Sequence, residues 1–151
     1  METNTLRNVP PVKQFAVLLQ NRVGALTALV KLLRRSGIEV IGLCVQDSRD
    51  ATLARVVTSD PERTEELFIE KGIPHTVCEL LVVALRGSAD DLQACLDQLM
   101  AAETNVDFVY SLMPCPSDRC LVAMHVEDRA FAAEVLHRAG FKVLGQGDLS
   151  R

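Results

Sequence analysis

The apolar residues in the first half of the chain form short strand-like runs that alternate with stretches at helical spacing. Together with the turn and cap residues between them, these patterns predict strands at 12–19, 38–46, 52–58 and 73–78 and helices at 25–36 and 61–71. Asp60-Pro61 is the strongest start signal, because aspartate caps a helix and proline fits its first position. The predicted order is therefore β-α-β-β-α-β.

The second half of the chain repeats this pattern. An offset of 66 positions relates Leu26, Leu29, Val30 and Leu33 to Leu92, Cys95, Leu96 and Leu99, and an offset of 68 relates Asp60, Phe68 and Gly72 to Asp128, Leu136 and Gly140. The predicted elements of this copy are strands at 79–86, 105–113, 120–126 and 141–144 and helices at 90–102 and 128–139. A repeat of this length corresponds to a whole small domain.

Each copy fits a split β-α-β unit of the ferredoxin-like kind. The predicted fold class is α+β, with two βαββαβ repeats that each place two helices on one face of an antiparallel four-stranded sheet. We expect a flexible leader at 1–11, a first repeat at 12–78 and a second repeat at 79–151. The leader is polar and contains two prolines, so it does not resemble a signal peptide.

Two predicted strands lack the alternation that a half-exposed sheet requires. The runs 15–19 and 80–85 are continuously apolar, whereas a sheet covered on one face alternates apolar and polar residues. The helices of one repeat cover only one face. We therefore expect the other face to be covered by the sister repeat or by a second chain, and we predict a homodimer.

Composition narrows the classes of partner. The chain has 151 residues, of which 48% are hydrophobic, and no apolar run approaches the length of a membrane span. Its net charge of −4 disfavours a nucleic-acid partner, since phosphate binding needs a basic surface. Five cysteines, an odd number, without an export signal predict reduced thiols and a cytoplasmic location.

The first strand-to-helix turn is the candidate functional site. It reads Asn21-Arg22-Val23-Gly24-Ala25-Leu26, and it leads into a helix amino terminus whose free N–H groups suit a carboxylate. Gly24 lets a ligand or another backbone approach closely. On this motif alone, a glycine that serves only the turn is the simpler interpretation.

This turn, with Leu33 and Gly37-Ile38-Glu39-Val40 further on, resembles the signature of ACT domains. The second copy resembles an ACT domain through its βαββαβ pattern, so the resemblance covers nearly all of the chain after the leader. It implies an amino acid or a similar small molecule, held by the first loop and by the second strand of a neighbouring unit. The implied site residues are Asn21, Arg22, Val23, Gly24, Ala25, Leu26, Glu39 and Ile41.

The chain departs from the family pattern at several positions. Val23 stands where the family usually has proline, and Glu39 stands where it often has asparagine. The second loop lacks the glycine, and Ser88 or Asp90 can cap the following helix and fill the anion pocket. The residues of an altered second site are Ser88, Ala89, Asp90 and Asn105.

We expect a non-catalytic regulatory protein, because no histidine has a nucleophile or carboxylate at a recognisable spacing. No cofactor or metal is expected, since the chain has no phosphate-binding loop, dinucleotide fingerprint or paired zinc ligands. One alternative is a separate regulatory subunit of an amino-acid biosynthetic enzyme, resembling the small subunit of acetolactate synthase. Another is a structural interaction module with vestigial pockets.

Overall fold

The computed structural model describes residues 10–20, 24–47, 51–86, 89–113 and 119–150. In these residues the strands are β1 (Val12–Leu19), β2 (Val40–Asp47), β3 (Thr52–Thr58), β4 (His75–Leu85), β5 (Val106–Ser111), β6 (Cys120–Val126) and β7 (Lys142–Leu144). The helices are α1 (Ala25–Arg35), α2 (Pro61–Glu70), α3 (Ala89–Ala101), α4 (Arg129–Arg138) and α5 (Gln146–Leu149). No helix in these ranges is long and apolar enough to span a membrane.

The chain divides into two compact units. The first unit is Lys13–Cys78, and the second unit is Glu79–Leu149 together with residues 10–12. The boundary lies inside β4, which contributes its first four residues to the first unit and the rest to the second.

The two units share one topology. The strand order is β2-β3-β1-β4 in the first unit and β5-β6-β4-β7 in the second, so corresponding strands occupy corresponding places. The strand pairs β1–β3, β2–β3, β4–β6, β4–β7 and β5–β6 are all antiparallel. This is the split β-α-β arrangement, and the predicted α+β class with two ferredoxin-like repeats is confirmed.

The buried cores of the two units contain residues at corresponding positions of the sequence repeat. In the first unit the helices pack on the sheet through a buried cluster: Phe15, Val17, Leu29, Leu33, Ile38, Ala54, Val56 and Phe68. Seven of these residues have a counterpart in the buried cluster of the second unit at the sequence offsets of 66 and 68. The counterparts are Leu81, Val83, Cys95, Leu99, Val122, Met124 and Leu136. Side chains of similar burial at matching positions explain why the two halves fold alike.

One strand prediction was wrong. Strands predicted at 73–78 and 79–86 are one continuous strand, β4. Residues 75–85 contain no glycine, proline, asparagine or aspartate, so no turn residue breaks the extended backbone there.

The burial of β4 bears on the expectation that the sister repeat or a second chain covers one face of the sheet. Leu80, Leu81, Val82 and Val83 are all fully buried, although consecutive side chains of a strand point to opposite faces. Both faces of this part of β4 are therefore covered within the single chain, and its apolar run does not by itself require a second chain. On β1, by contrast, Leu18 remains 57% exposed.

The short helix α5 was not predicted. Asp148 stabilises its start, because its Oδ2 accepts a 2.8 Å hydrogen bond from the Gly145 N–H group. Gln146 N in turn donates to Pro10 O at 3.0 Å. A single helical turn gives too little periodicity to be recognised from the sequence.

Candidate functional site

Gly24 begins α1 in a left-handed conformation. Its φ is +86°, a region that side-chain-bearing residues rarely adopt. Among the described residues, and apart from its chain neighbours, no atom lies within 4 Å of the place that a Cβ would occupy there. The backbone conformation therefore favours glycine at this position.

The amino terminus of α1 carries no side-chain cap. Gly24 O accepts from Ala28 N at 2.9 Å, as in any first turn, but Gly24 has no side chain with which to cap the helix, and the first turn has no acidic residue. By contrast, Asp60 caps α2 and Asp128 caps α4. Within the described residues, the N–H groups of the first turn of α1 thus keep their partial positive charge without a neutralising side chain.

The structure describes only some of the other residues predicted for this loop. Asn21, Arg22 and Val23 lie outside the described residues. Ala25 is half-buried, and the side chain of Leu26 packs against the core of the first unit. The half-buried Leu26 side chain thus contributes to packing.

Glu39 and Ile41 lie at the opposite end of the same sheet. Val40 on β2 pairs with Thr58, whereas Leu19, at the end of β1 that precedes Gly24, pairs with Thr52. Six residues of an extended strand span about 20 Å. The structure therefore does not bring Glu39 or Ile41 near Gly24 within the first unit.

Glu39 directly precedes β2 and is held by Ser59, whereas Ile41 lies within β2. Glu39 N donates to Ser59 Oγ at 3.0 Å, Ser59 N donates to Glu39 O at 2.9 Å, and Glu39 itself is exposed. Ile41 is buried and lies where the pairing of β2 with β3 is irregular, between Val40 and Gly42. A matching irregularity lies in β5, between Val106 and Phe108, so this feature belongs to the repeat.

The predicted second site is not assembled in the second unit. Ser88 lies outside the described residues, and Ala89 and Asp90 are exposed residues of the first turn of α3. Asn105 follows the far end of this 13-residue helix, about 20 Å away at the helical rise.

Ser88 or Asp90 was predicted to cap this helix: Ser88 lies outside the described residues, and Asp90 lies within the first turn of α3, which begins at Ala89. The carboxylate that binds the loop backbone is that of Asp91, whose Oδ2 accepts from Arg86 N at 2.7 Å. Two consecutive aspartates at a helix start do not reveal from sequence which of them turns back to the loop.

The structure forms a cleft beside this loop that the sequence did not predict. Its volume is about 400 Å³, and it is lined by Ala84, Leu85, Arg86, Asp91, Arg119, Ala139, Gly140, Phe141 and Lys142. It lies at the end of the second unit where β4 ends and where β6 and β7 begin. The βαββαβ topology brings these strand ends together, so it could have indicated the cleft.

A larger cleft of about 740 Å³ lies at the other end of the second unit, lined by Glu79, Ala102, Glu103, Thr104, His125, Val126, Glu127, Asp128, Arg129 and Phe131. Arg129 Nε donates to Leu80 O at 3.0 Å. Burial lowers the pKa of Arg129, and the nearby Glu79 carboxylate acts in the opposite direction.

His125, at the wall of the larger cleft, has a carboxylate partner that sequence spacing did not reveal. Its Nδ1 lies 2.7 Å from Asp107 Oδ2, and its ring stacks on Phe108 with centroids 5.3 Å apart. The pair forms because β5 and β6 place these residues on neighbouring strands. In the described part of the chain, no group of three or more His, Cys, Asp or Glu residues could hold a metal ion.

The fold defines a protein of two ferredoxin-like units. Comparison with known families identifies it further: residues 11–151 match the family described as an ACT domain pair, and the chain belongs to that family. No curated protein matches this chain.

Solved structures share this architecture. A protein of Bacteroides thetaiotaomicron has a TM-score of 0.87 at 21% identity, with 95% of this chain and 99% of that chain covered. The regulatory subunit of aspartate kinase from Thermus thermophilus has a TM-score of 0.60 at 11% identity, covering 87% and 94% of the two chains. The corresponding subunit from Thermus flavus has a TM-score of 0.54 at 14% identity, covering 88% and 94%. At these identities the likeness establishes the fold alone.

Proposed function

We propose that this protein is a non-catalytic regulatory protein that binds an amino acid at the amino terminus of α1. The observation that carries the proposal is the glycine N-cap of α1, which has no side chain to cap the helix, in a member of the ACT domain pair family. An amino-acid carboxylate would accept hydrogen bonds from the first-turn N–H groups and gain from the positive end of the helix dipole. Asn21, Arg22 and Val23 would complete the loop around it.

The ligand's ammonium group needs a second set of partners. We propose that Glu39 and the backbone of Ile41 supply it from β2 of a second copy of the chain. Glu39 is exposed, and β2 is at the edge of the strand order in its unit, so its outer backbone groups can meet a ligand. This arrangement makes the protein a homodimer whose stability depends on the ligand, which is how binding would become a regulatory signal.

A pair of glycine variants tests the site. Gly24→Asp places a carboxylate at the helix terminus, where it would cap the N–H groups and repel the ligand's carboxylate. Gly37→Asp is the matched control, because Gly37 also has a positive φ of +74° and open space around it but lies at the far end of α1. Calorimetric titration with the twenty amino acids should give binding to the wild type and to Gly37→Asp, and none to Gly24→Asp. Equal binding by Gly24→Asp would refute the assignment.

The oligomeric state provides a second test. Light scattering after size-exclusion chromatography should give a dimer, and a bound amino acid should lower its dissociation constant. Glu39→Gln should weaken amino-acid binding without changing the fold of the free chain, because Glu39 contacts Ser59 only through its backbone. A monomer that binds its ligand as tightly as any dimer would rule out the role given to β2.

A further inference from the structure

We propose that the 400 Å³ cleft of the second unit is a binding site for a small dianion, held by Arg86, Arg119 and Lys142. This site goes beyond the proposed amino-acid site. It uses none of the residues around Gly24, and its ligand class is set by side-chain cations and not by a helix terminus.

Strand register brings the three cations together. Leu85 on β4 pairs with Cys120 on β6, and Ala84 pairs with Lys142 on β7. Arg86 follows Leu85, and Arg119 precedes Cys120, so the three cations lie at the ends of three adjacent strands. Neighbouring strands are about 4.8 Å apart, which places the backbones of all three residues within about 10–12 Å of one another.

This clustering of like charge is unfavourable on its own. Like charges on neighbouring strands destabilise a sheet, and the chain as a whole carries a net charge of −4. Within the described residues, the salt bridges are His125–Asp107 and Arg138–Glu134, and none involves these three cations. A bound anion would convert the mutual repulsion into three favourable interactions.

Among the described lining residues, Asp91 is the single carboxylate, so three cations face one anion there. Its Oδ2 accepts from Arg86 N at 2.7 Å, which ties the carboxylate to the loop backbone. The described lining residues therefore carry a net charge of +2, by subtraction of one carboxylate from three cations. A ligand with two negative charges would neutralise it.

The remaining wall sets the size and chemistry of the ligand. The N–H groups of Gly140 and Phe141 are already used, since they donate to His137 O at 3.1 Å and to Leu136 O at 3.0 Å. Recognition of the anion thus falls to the side-chain cations, and the planar guanidinium fork matches a carboxylate or a phosphate equally well. A volume of about 400 Å³ suits a small metabolite such as a dicarboxylate or a phosphate monoester.

Calorimetry with inorganic phosphate and with malonate, each against sodium chloride at equal ionic strength, tests the site on the full-length protein. Both probes share the dianionic chemistry, and their relative affinities distinguish a phosphate site from a dicarboxylate site. We expect Arg119→Gln and Lys142→Gln each to weaken binding of the preferred probe at least about tenfold, and Lys142→Arg to retain it. The control Arg34→Gln/Arg35→Gln, which removes two exposed cations of α1, should bind like the wild type.

Two results would overturn the proposal: neither probe binds more tightly than chloride, or the Arg119 and Lys142 variants bind as tightly as the Arg34/Arg35 control. Urea unfolding of each variant verifies that it is folded, and Lys142→Arg guards against a purely structural effect. The amino-acid site is tested separately, because Gly24→Asp should leave dianion binding unchanged. Failure of one site therefore leaves the other standing.

Discussion

Asp60 and Asp128, which lie 68 positions apart, make the same contact. Asp60 Oδ1 accepts from Arg63 N at 3.1 Å, and Asp128 Oδ1 accepts from Phe131 N at 3.1 Å. Each aspartate is the N-cap of the second helix of its unit. The repeat in sequence thus extends to individual hydrogen bonds.

These two caps should contribute equally to stability. Asp60→Ala and Asp128→Ala should each lower the free energy of unfolding by about 1 kcal/mol, because each leaves a helix N–H group without its acceptor. The two losses should add in the double variant, since the caps share no partner. Urea unfolding gives the values, and serine at either position should restore most of the loss. A cap whose removal costs nothing would contradict this account.

Glu103 should be a source of strain in the second unit. It has a φ of +54°, whereas the corresponding residue of the first unit, Gly37, has a φ of +74° and no side chain to clash. Glu103→Gly should therefore raise the free energy of unfolding by about 0.5–1 kcal/mol. Glu103→Ala is the matched control, because it removes the charge but keeps the Cβ. Equal stabilisation by glycine and alanine would mean that charge, and not backbone strain, is responsible.

Cys95 should make stability fall as the pH rises above 9. Burial, aided by the Asp91 carboxylate, raises the pKa of the Cys95 thiol from its ordinary value of 9.0 to about 11. Between these values the unfolded thiol loses a proton that the folded thiol keeps, so the unfolded state binds fewer protons and the free energy of unfolding falls with rising pH. Over two pH units the loss should approach about 2 kcal/mol.

A comparison with Cys95→Ala isolates this contribution from the other groups that titrate at alkaline pH. The wild type should be the more stable protein at pH 8, and its advantage over the variant should shrink between pH 9 and pH 11. Urea unfolding at each pH measures the difference. A constant difference across this range would show that the Cys95 thiol titrates alike in both states.

Much of the fold could be predicted because its determinants are local. Asp60-Pro61 marks a helix start, and Gly37 and Gly72 mark helix ends, through interactions within a few residues. Because the second half of the chain repeats the pattern of the first, the same assignments apply to its elements. The continuation of β4 through Glu79 was not predicted, because the repeat pattern assigns the end of one copy and the start of the next to separate strands.

The sites were harder to predict because they depend on register between distant strands. Gly24 was identified correctly as the start of α1, since a glycine before a helical pattern is a local signal. The grouping of Arg86, Arg119 and Lys142, by contrast, follows from pairings across 35 and 58 positions. The contact of His125 with Asp107 depends in the same way on the irregular pairing of β5 with β6. The homodimer and the cytoplasmic location remain predictions.

The hydroxyl groups of Thr58 and Thr64 form a buried pair that the second unit lacks. Their Oγ1 atoms are 2.8 Å apart, and Thr64 Oγ1 also donates to Asp60 O at 2.7 Å, so Thr58 is the donor within the pair. At the corresponding positions the second unit has Val126 and Ala132, both buried. The same packing position is thus filled by a polar pair in one unit and by an apolar pair in the other.

A double-mutant cycle should reveal this coupling. Thr64→Val removes both the donor to Asp60 O and the acceptor for Thr58, so it should lower the free energy of unfolding by about 1–3 kcal/mol. Thr58→Val should cost less, about 0.5–1.5 kcal/mol, because Thr64 keeps its bond to Asp60. The double variant should cost less than the sum, since replacing both partners leaves neither hydroxyl without the other. Urea unfolding of the four proteins gives the coupling energy. Strict additivity would mean that the two hydroxyl groups contribute independently, and that the 2.8 Å contact adds nothing to stability.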